Sequence, residues 1–398
     1  FDFKTYWGFE PEPLYYEYYF VKRTEMPNLS PTNPRFGKAI DLWRRLPLDL
    51  PLTGALLLLA GIGLAVLYSA SGGNWNQVGN QAARLALGFA VLLVLSRVPP
   101  AILRSWTPWF YFATVGLLLL VTLFGEGRGA HRWLDLGVVR FQPSEFAKLS
   151  LPMMVAWFLH DRMLPPGWGA LLACAVLIGV PAGLIAEQPD LGTALLVGIS
   201  GAFVIFLAGL SWWRIGALAG LVAAAAPVAW QYMHEYQRNR IRMFLDPESD
   251  PLGNGWNIIQ AQIALGSGGV LGKGFEASTQ AKLDFLPEHT TDFIFAVFGE
   301  EFGLVGVALV LALYLFIIGR GLWIAASARD TYSRLLAGAI SMTFFVYVMV
   351  NGGMITGLLP VVGVPMPLIS YGGTSAVSLL AGFGVLLSIH AHRRLGAH

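Results

Sequence analysis

One aspartate of this sequence is a candidate for general acid–base catalysis. Asp292 lies near the end of a long, glycine-rich and polar stretch, residues 240–303, at the mouth of an apolar run. A carboxylate in such a place can serve as a general base if a hollow surrounds it, and otherwise it can cap the helix that follows. Loops of this length inside a compact protein are usually functional or disordered. The turn residues and apolar positions of this stretch favour a functional loop.

A second acidic residue has a lysine at helical spacing. Pro143 suits the first turn of a helix, and Glu145 would then lie in that turn, where the helix dipole favours a negative charge. Lys148 is three residues further on and shares a helix face with Glu145. Opposite charges at a membrane edge are costly unless they pair. Two roles stay open: an ion pair that only fixes helices, or one that positions or tunes a group in a cavity.

Two further carboxylates have a structural and a functional interpretation. Asp190, in the motif EQPDLGTAL, can cap the helix that follows it, or it can face a cavity. Glu300 falls on the same helical face as Asp292, together with the small residues Gly299 and Gly303. Such a face packs against helices or lines a cavity rather than meeting lipid. A structural hydrogen bond is the simpler role for Glu300.

Three other stretches carry polar groups that could contact a ligand. Arg240 is either an interfacial anchor or a fork for a phosphate group. The run GSGGVLGKG, residues 266–274, does not fit the Walker pattern of nucleotide-binding loops, so its glycines indicate tight turns or close approach of backbone to a ligand. Proline and glycine in residues 357–375 predict irregular backbone that lines a cavity, with Ser370 and Thr374 as candidate contacts or packing residues.

The composition is that of a membrane protein. Of the 398 residues, 55% are hydrophobic and only 13% are charged, whereas a soluble domain carries about 25% charged residues. The net charge of +2 is too small to indicate nucleic-acid binding. The single cysteine, Cys174, excludes internal disulfides and cysteine-cluster metal sites.

Apolar runs long enough to cross a bilayer recur along the chain, so we predict an all-α, polytopic membrane protein with about ten transmembrane helices. A large extracytoplasmic loop, about residues 233–291, separates helices 7 and 8. The predicted spans are about 52–70, 82–98, 107–124, 144–160, 169–187, 191–209, 214–232, 292–319, 335–359 and 371–389.

The distribution of arginine sets the predicted orientation. With both termini in the cytoplasm, the inner segments carry eleven arginines and the short outer loops four, in line with the positive-inside rule. The five cationic residues of the long loop weaken this bias, although long loops count for less in the rule. Residues 1–40 mix aromatic residues, charges and prolines without period and form a separate arm without an assigned function, and residues 41–398 form the membrane domain.

The motifs, taken in order, resemble the SEDS family (shape, elongation, division and sporulation), and within it the RodA branch more than the FtsW branch. They are RWLDLG with FQPSEFAKL, QPDLGTA, RIRMFLDP, SGGVLGKG, PEHTTDFIFAVFGEEFG and GLLPVVGVPMPLISYGGTS. One of them alone would be a weak signal, but six in order are highly specific. The resemblance covers the chain from about residue 50 to the C-terminus and leaves out the N-terminal arm.

The resemblance implies a peptidoglycan glycosyltransferase that polymerises lipid II at the outer face of the bacterial cytoplasmic membrane, together with a class B penicillin-binding protein. Asp292 matches the family's essential aspartate, and Glu145 and Lys148 match its conserved pair. The other family motif positions are matched by Arg240, Asp190 and the turn from Ser370 to Thr374.

The implied reaction inverts the donor sugar, which requires one carboxylate base, and we expect Asp292 to supply it. Arg240, Lys148 or a divalent cation (Mg²⁺ or Mn²⁺) could stabilise the leaving pyrophosphate. No other cofactor is expected, because the lipid pyrophosphate carries the energy of the reaction. The rival hypotheses are a lipid II flippase, which would expect internal repeats or broken helices in matching positions, and a non-enzymatic scaffold of the wall-building complex.

Overall fold

Helices dominate the computed structural model, which describes residues 48–124, 134–135, 140–233, 235, 238–239, 242, 255–283 and 285–394. The predicted N-terminal arm, residues 1–40, lies outside this part of the chain. The helices are α1 Leu50–Ala70, α2 Trp75–Leu95, α3 Pro100–Phe124, α4 Ser144–Leu159, α5 Trp168–Glu187, α6 Leu191–Leu207, α7 Trp212–Tyr232, α8 Trp256–Ser267, α9 Thr279–Lys282, α10 Ile294–Ala326, α11 Thr331–Ile355 and α12 Thr374–Arg394. Two short strands, β1 Leu134–Asp135 and β2 Arg140–Phe141, pair antiparallel and are the one departure from helix among the described elements.

The predicted helical membrane fold is confirmed. Seven of the described helices, α1, α2, α3, α5, α10, α11 and α12, are long and apolar enough to cross a membrane. The other three predicted spans coincide with α4, α6 and α7, which are helical but not among the seven. The count of ten crossings therefore stays a prediction.

Large apolar side chains point outward from the long helices, as a lipid environment requires. Leu58 of α1 is 58% exposed, Phe112 of α3 is 62% exposed and Leu309 of α10 is 68% exposed. In water such exposed apolar side chains would promote aggregation, whereas in a bilayer they contact the apolar lipid chains. The bundle therefore shows lipid an apolar surface while several charged groups are buried inside it.

One such buried group ties three helices together where α1 begins. Asp49 caps α1 by accepting the Leu52 backbone N–H at 3.1 Å, and its other oxygen binds Arg320 of α10 at 2.7 Å. His390 of α12 lies 3.5 Å from the same oxygen. A buried carboxylate is costly without partners, and these contacts provide them while fixing α1, α10 and α12 to one another.

Helix α10 is interrupted close to the candidate site. Gly303 has φ 63° and ψ −166°, a backbone conformation that breaks the helical hydrogen-bond ladder. The segment 269–274 runs along this break and pairs with it. Four backbone hydrogen bonds of 2.9–3.1 Å, written donor first, join Leu304 to Gly269, Val305 to Val270, Lys273 to Glu300 and Gly274 to Glu301. Irregular backbone inside a membrane protein is tolerated where other protein groups satisfy it in this way.

The glycines of the run 266–274 serve this pairing. A Cβ atom on Gly268 would lie 2.2 Å from the Gly299 carbonyl oxygen, and one on Gly272 would lie 2.1 Å from the Glu301 carbonyl oxygen. The sequence predicted tight turns or close approach to a ligand. At Gly268 and Gly272 the close neighbour is the backbone of α10.

Replacing Gly272 by alanine should therefore destabilise the protein by at least about 2 kcal/mol, because the methyl group meets backbone and φ is +80°. Gly266 provides a matched control in the same run, since it is helical, has open space around its Cα and should gain about 0.5–1 kcal/mol as alanine. Thermal denaturation of both purified variants in detergent measures the difference. Equal midpoints for the two variants would contradict the close packing.

Candidate functional site

The candidate site lies at the end of the bundle where α4, α6, α10 and α12 begin. The connecting segment, residues 356–373 between α11 and α12, joins these helix starts. The Tyr371 N–H donates to the Thr290 carbonyl at 2.9 Å, just before α10. The Val362 carbonyl oxygen approaches the start of α6 so closely that a Cβ on Gly192 would lie 2.4 Å from it. Residues distant in sequence therefore share one small region.

Asp292 lies two residues before α10 and is half-buried. Its backbone carbonyl accepts a hydrogen bond of 2.8 Å from the Asn351 side chain of α11. Its carboxylate faces the connecting segment, because a Cβ built on Gly363 would lie 3.5 Å from Asp292 Oδ2. Phe293, and not Asp292, occupies the N-cap position of α10. The carboxylate thus lies against the connecting segment.

Glu145 and Lys148 form the ion pair that their spacing predicted. The Lys148 ammonium lies 2.7 Å from Glu145 Oε1, and the two side chains are only 11% and 7% exposed. The second Glu145 oxygen accepts from Ser378 Oγ of α12 at 2.7 Å. Lys148 also lies 5.3 Å from the centre of the Tyr347 ring of α11. The pair therefore joins α4 to both α11 and α12.

A small cavity of about 30 Å³ lies beside this pair. Its polar lining comes from Lys148, Thr343, Tyr347 and Ser378, and its apolar lining from α4, α11 and α12 side chains. The buried Thr343 hydroxyl has no hydrogen-bond partner among the described residues. The cavity thus leaves a small, partly polar space next to the Glu145–Lys148 pair.

Asp190 takes the capping role proposed for it. Its Oδ1 accepts the Thr193 N–H at 3.2 Å at the start of α6. Its Oδ2 lies 3.4 Å from the side-chain amide of Gln142, two residues before α4. The two sequence motifs that contain Asp190 and Glu145 are therefore neighbours in space, which their separation in the chain does not reveal.

Glu300 is a structural anchor, as its simpler interpretation predicted. It is fully buried and forms an ion pair of 2.6 Å with Lys273. Ser278 Oγ and Thr279 Oγ1 each donate to it at 2.6 Å, and the Thr279 N–H donates at 3.0 Å. Glu300 thus binds the loop that leads to Asp292.

The turn that contains Ser370 and Thr374 is held by α2. The Gln81 side chain donates to the Ser370 carbonyl at 3.1 Å and accepts from the Gly372 N–H at 3.3 Å. The Ser370 hydroxyl is turned inward and accepts the Met366 N–H at 2.8 Å. Arg84, one turn from Gln81, stacks on the Tyr371 ring at 4.9 Å. Packing is therefore the observed role of Ser370, and Thr374 is the first residue of α12.

Sequence reasoning missed Asn351, Gln81 and Gly363. Asn351 and Gln81 are polar residues in apolar helices, a signal that would have drawn attention to them. Gly363 has φ +73°. This conformation cannot be recognised from the sequence, where Gly363 is a single glycine in a proline-rich segment. Arg240, the candidate phosphate contact, lies outside the described residues.

The described residues do not form a metal site of their own. No three His, Cys, Asp or Glu side chains converge within that part of the chain. A Mg²⁺ ion commonly takes only one or two carboxylates and completes its shell with water and substrate phosphates. Asp292 could supply one such carboxylate.

Comparison with known proteins places this geometry in a family. The model of the FtsW/RodA/SpoVE family, described as cell cycle proteins, matches residues 50–395. The peptidoglycan glycosyltransferase MrdB of Escherichia coli K12 is 50% identical over 355 residues, covering 89% of this chain and 96% of that protein. A probable peptidoglycan glycosyltransferase FtsW of Trichlorobacter lovleyi is 36% identical, covering 87% of this chain and 94% of that protein.

Solved structures agree with the sequence relatives. A chain from a study of a peptidoglycan synthase complex that coordinates polymerization and crosslinking has a TM-score of 0.75 and 33% identity, covering 87% of this chain and 98% of that one. The rod shape determining protein RodA of Thermus thermophilus has a TM-score of 0.66 and 30% identity, covering 87% and 97%. With the family model spanning the whole membrane domain, the resemblance drawn from six motifs is confirmed: the chain belongs to the FtsW/RodA/SpoVE family, the SEDS proteins.

Proposed function

We propose that this chain is a peptidoglycan glycosyltransferase that polymerises lipid II into β-1,4-linked glycan strands during cell wall elongation, with Asp292 as general base. The observation that carries the proposal is a half-buried carboxylate facing the connecting segment, in a chain that is 50% identical to a relative named for this activity. The buried Glu145–Lys148 pair lies in the first turns of α4, which begins at the same end of the bundle.

The proposed step is a single inverting displacement. The 4-hydroxyl oxygen of the acceptor sugar forms a bond to the anomeric carbon of the donor, and the bond from that carbon to the lipid pyrophosphate breaks. The hydroxyl proton passes to the Asp292 carboxylate, and the pyrophosphate leaves with the electron pair. One carboxylate is enough for an inverting displacement in which the leaving group is already a good one.

The leaving pyrophosphate needs charge stabilisation more than a proton. Helices α4, α6, α10 and α12 all begin at this end of the bundle, and the partial positive charge of a helix start favours anions. Lys148 at the cavity edge adds a full positive charge, partly balanced by Glu145. Arg240 remains a candidate phosphate contact, and a divalent cation, Mg²⁺ or Mn²⁺, is proposed only as a companion of the substrate pyrophosphate.

The proposed partners follow from the reaction and from the relatives. The chain would bind lipid II and the growing lipid-linked glycan, and would work with a class B penicillin-binding protein. A solved relative comes from a peptidoglycan synthase complex, which supports such a partnership. We place the chain in the bacterial cytoplasmic membrane, with both termini in the cytoplasm and the candidate site on the outer side, in line with the distribution of arginine.

Purified protein given purified lipid II should produce a ladder of glycan chains on a gel, with and without a class B penicillin-binding protein in parallel. A fluorescent-lipid scrambling assay on the same preparation tests the flippase alternative. Scrambling without glycan chains would overturn the proposal in favour of a transporter. Neither activity, in protein that is folded and bound to its partner, would favour a scaffold.

A further inference from the structure

We propose that Asn351 is a positioning residue that sets the distance between the Asp292 carboxylate and the connecting segment. The inference rests on the proposed function, because it assigns Asn351 a role in the reaction that Asp292 would catalyse. Asn351 lies in the last turn and a half of α11 and is fully buried, with 0% of its surface exposed. Its side chain reaches two separate pieces of backbone.

Both hydrogens of the Asn351 amide group are committed. The side-chain nitrogen donates to the Asp292 carbonyl at 2.8 Å and to the Val364 carbonyl at 2.8 Å. Two carbonyl acceptors require an NH₂ group, so the orientation of the amide is fixed by its partners. One rigid side chain on a helix therefore bridges the backbone before α10 and the connecting segment.

The two bridged carbonyls belong to segments that meet at the Asp292 carboxylate. Asp292 supplies the carboxylate, and Val364 follows Gly363, whose absent Cβ would lie 3.5 Å from Asp292 Oδ2. Gly363 has φ +73°, so an L residue there would be strained as well as placed against the carboxylate. By holding both backbones, Asn351 fixes the space in front of the carboxylate where an acceptor hydroxyl would have to lie.

The bridge has an energetic cost that simple packing would avoid. Asn351 Oδ1 is buried and has no hydrogen-bond partner among the described residues, and an unmet buried acceptor is destabilising. Apolar residues surround it along α11, with Val348, Met354 and Ile355 all buried. The burial of an amide among apolar residues is explained if this position requires both of its N–H donors.

Replacing Asn351 by alanine should lower kcat for lipid II polymerisation by about 10–100-fold while KM changes by less than about two-fold, because a shift of the order of 1 Å at a reacting group can cost 10²-fold. Asn351→Ser, which retains one donor, should show a smaller loss of kcat and provides a second variant if the alanine variant does not fold. Folding is checked by thermal midpoint and by binding of the penicillin-binding partner.

Tyr332→Phe is the matched control on the same helix. It removes a buried hydrogen bond of 2.8 Å to Thr107 at the opposite end of α11, so it should lower the thermal midpoint and leave kcat unchanged. If folded Asn351→Ala and Asn351→Ser keep kcat within two-fold of Tyr332→Phe, Asn351 is only structural. Asp292→Asn is run beside them: an inactive Asp292→Asn with normal Asn351 variants refutes this inference alone, whereas an active Asp292→Asn refutes the catalytic assignment beneath it.

Discussion

Asparagine in place of Asp292 is expected to lower the rate of lipid II polymerisation by about 10²–10⁴-fold, the usual contribution of a general base. Asparagine preserves the size and shape of the side chain, and the backbone hydrogen bond from Asn351 to the Asp292 carbonyl does not depend on the carboxylate. The variant should therefore fold, bind its partner and still bind lipid II. The initial rate of glycan formation on gels, at saturating lipid II, measures the loss.

Glu288→Gln provides the control for this substitution. Glu288 is an exposed carboxylate four residues before Asp292, and its side chain accepts a hydrogen bond of 2.5 Å from Thr291. Losing that charge should leave the polymerisation rate within about two-fold, since exposed polar contacts contribute little. A folded Asp292→Asn protein that polymerises at the normal rate would show that the base lies elsewhere.

The local features of the site could be predicted because helical spacing encodes them. Glu145 and Lys148 are three residues apart, and on a helix that spacing by itself puts them on one face. Asp190 precedes an apolar run and caps it, a contact that spans only three residues. The predicted spans likewise follow from apolar runs of sufficient length.

The missed features depend on contacts between residues far apart in sequence. Asn351 forms a hydrogen bond with Asp292, 59 residues away in the sequence, and Gln81 forms one with Ser370, 289 residues away. No periodicity in one stretch of sequence contains that information. The role of the glycine run 266–274 was hidden for the same reason, since its partner is a break at Gly303 inside a helix that reads as continuous.

The position of Asp292 before the N-cap residue of α10 has a local reason. The Phe293 N–H and the Thr291 N–H both donate to the Glu288 carbonyl, so the chain closes a turn before α10 starts. This turn delays the helix until Ile294, so that Asp292 precedes the N-cap residue Phe293. The capping propensity of aspartate indicates that a helix begins nearby. It does not give the first helical residue when a local turn competes with the helix.

Removing one member of the Glu145–Lys148 pair should strongly lower both the stability and the polymerisation activity of the protein. Glu145→Gln leaves the buried Lys148 ammonium without its partner at 2.7 Å, and breaking a buried pair in this way typically costs about 3–5 kcal/mol. Lys148→Met leaves the carboxylate with only the Ser378 hydroxyl as a described donor. Both single variants should show a much lower thermal midpoint in detergent and little polymerisation.

The double variant Glu145→Gln with Lys148→Met separates the two roles left open for the pair. It removes both charges at similar volume, so most of the lost stability should return. Because Lys148 lies one turn into α4, which begins at the same end of the bundle as α10, we expect polymerisation to stay at least about ten-fold below the normal rate even then, as loss of a charge-stabilising group implies. A double variant that recovers both its thermal midpoint and its polymerisation rate would instead show that the pair only holds α4 against α11 and α12.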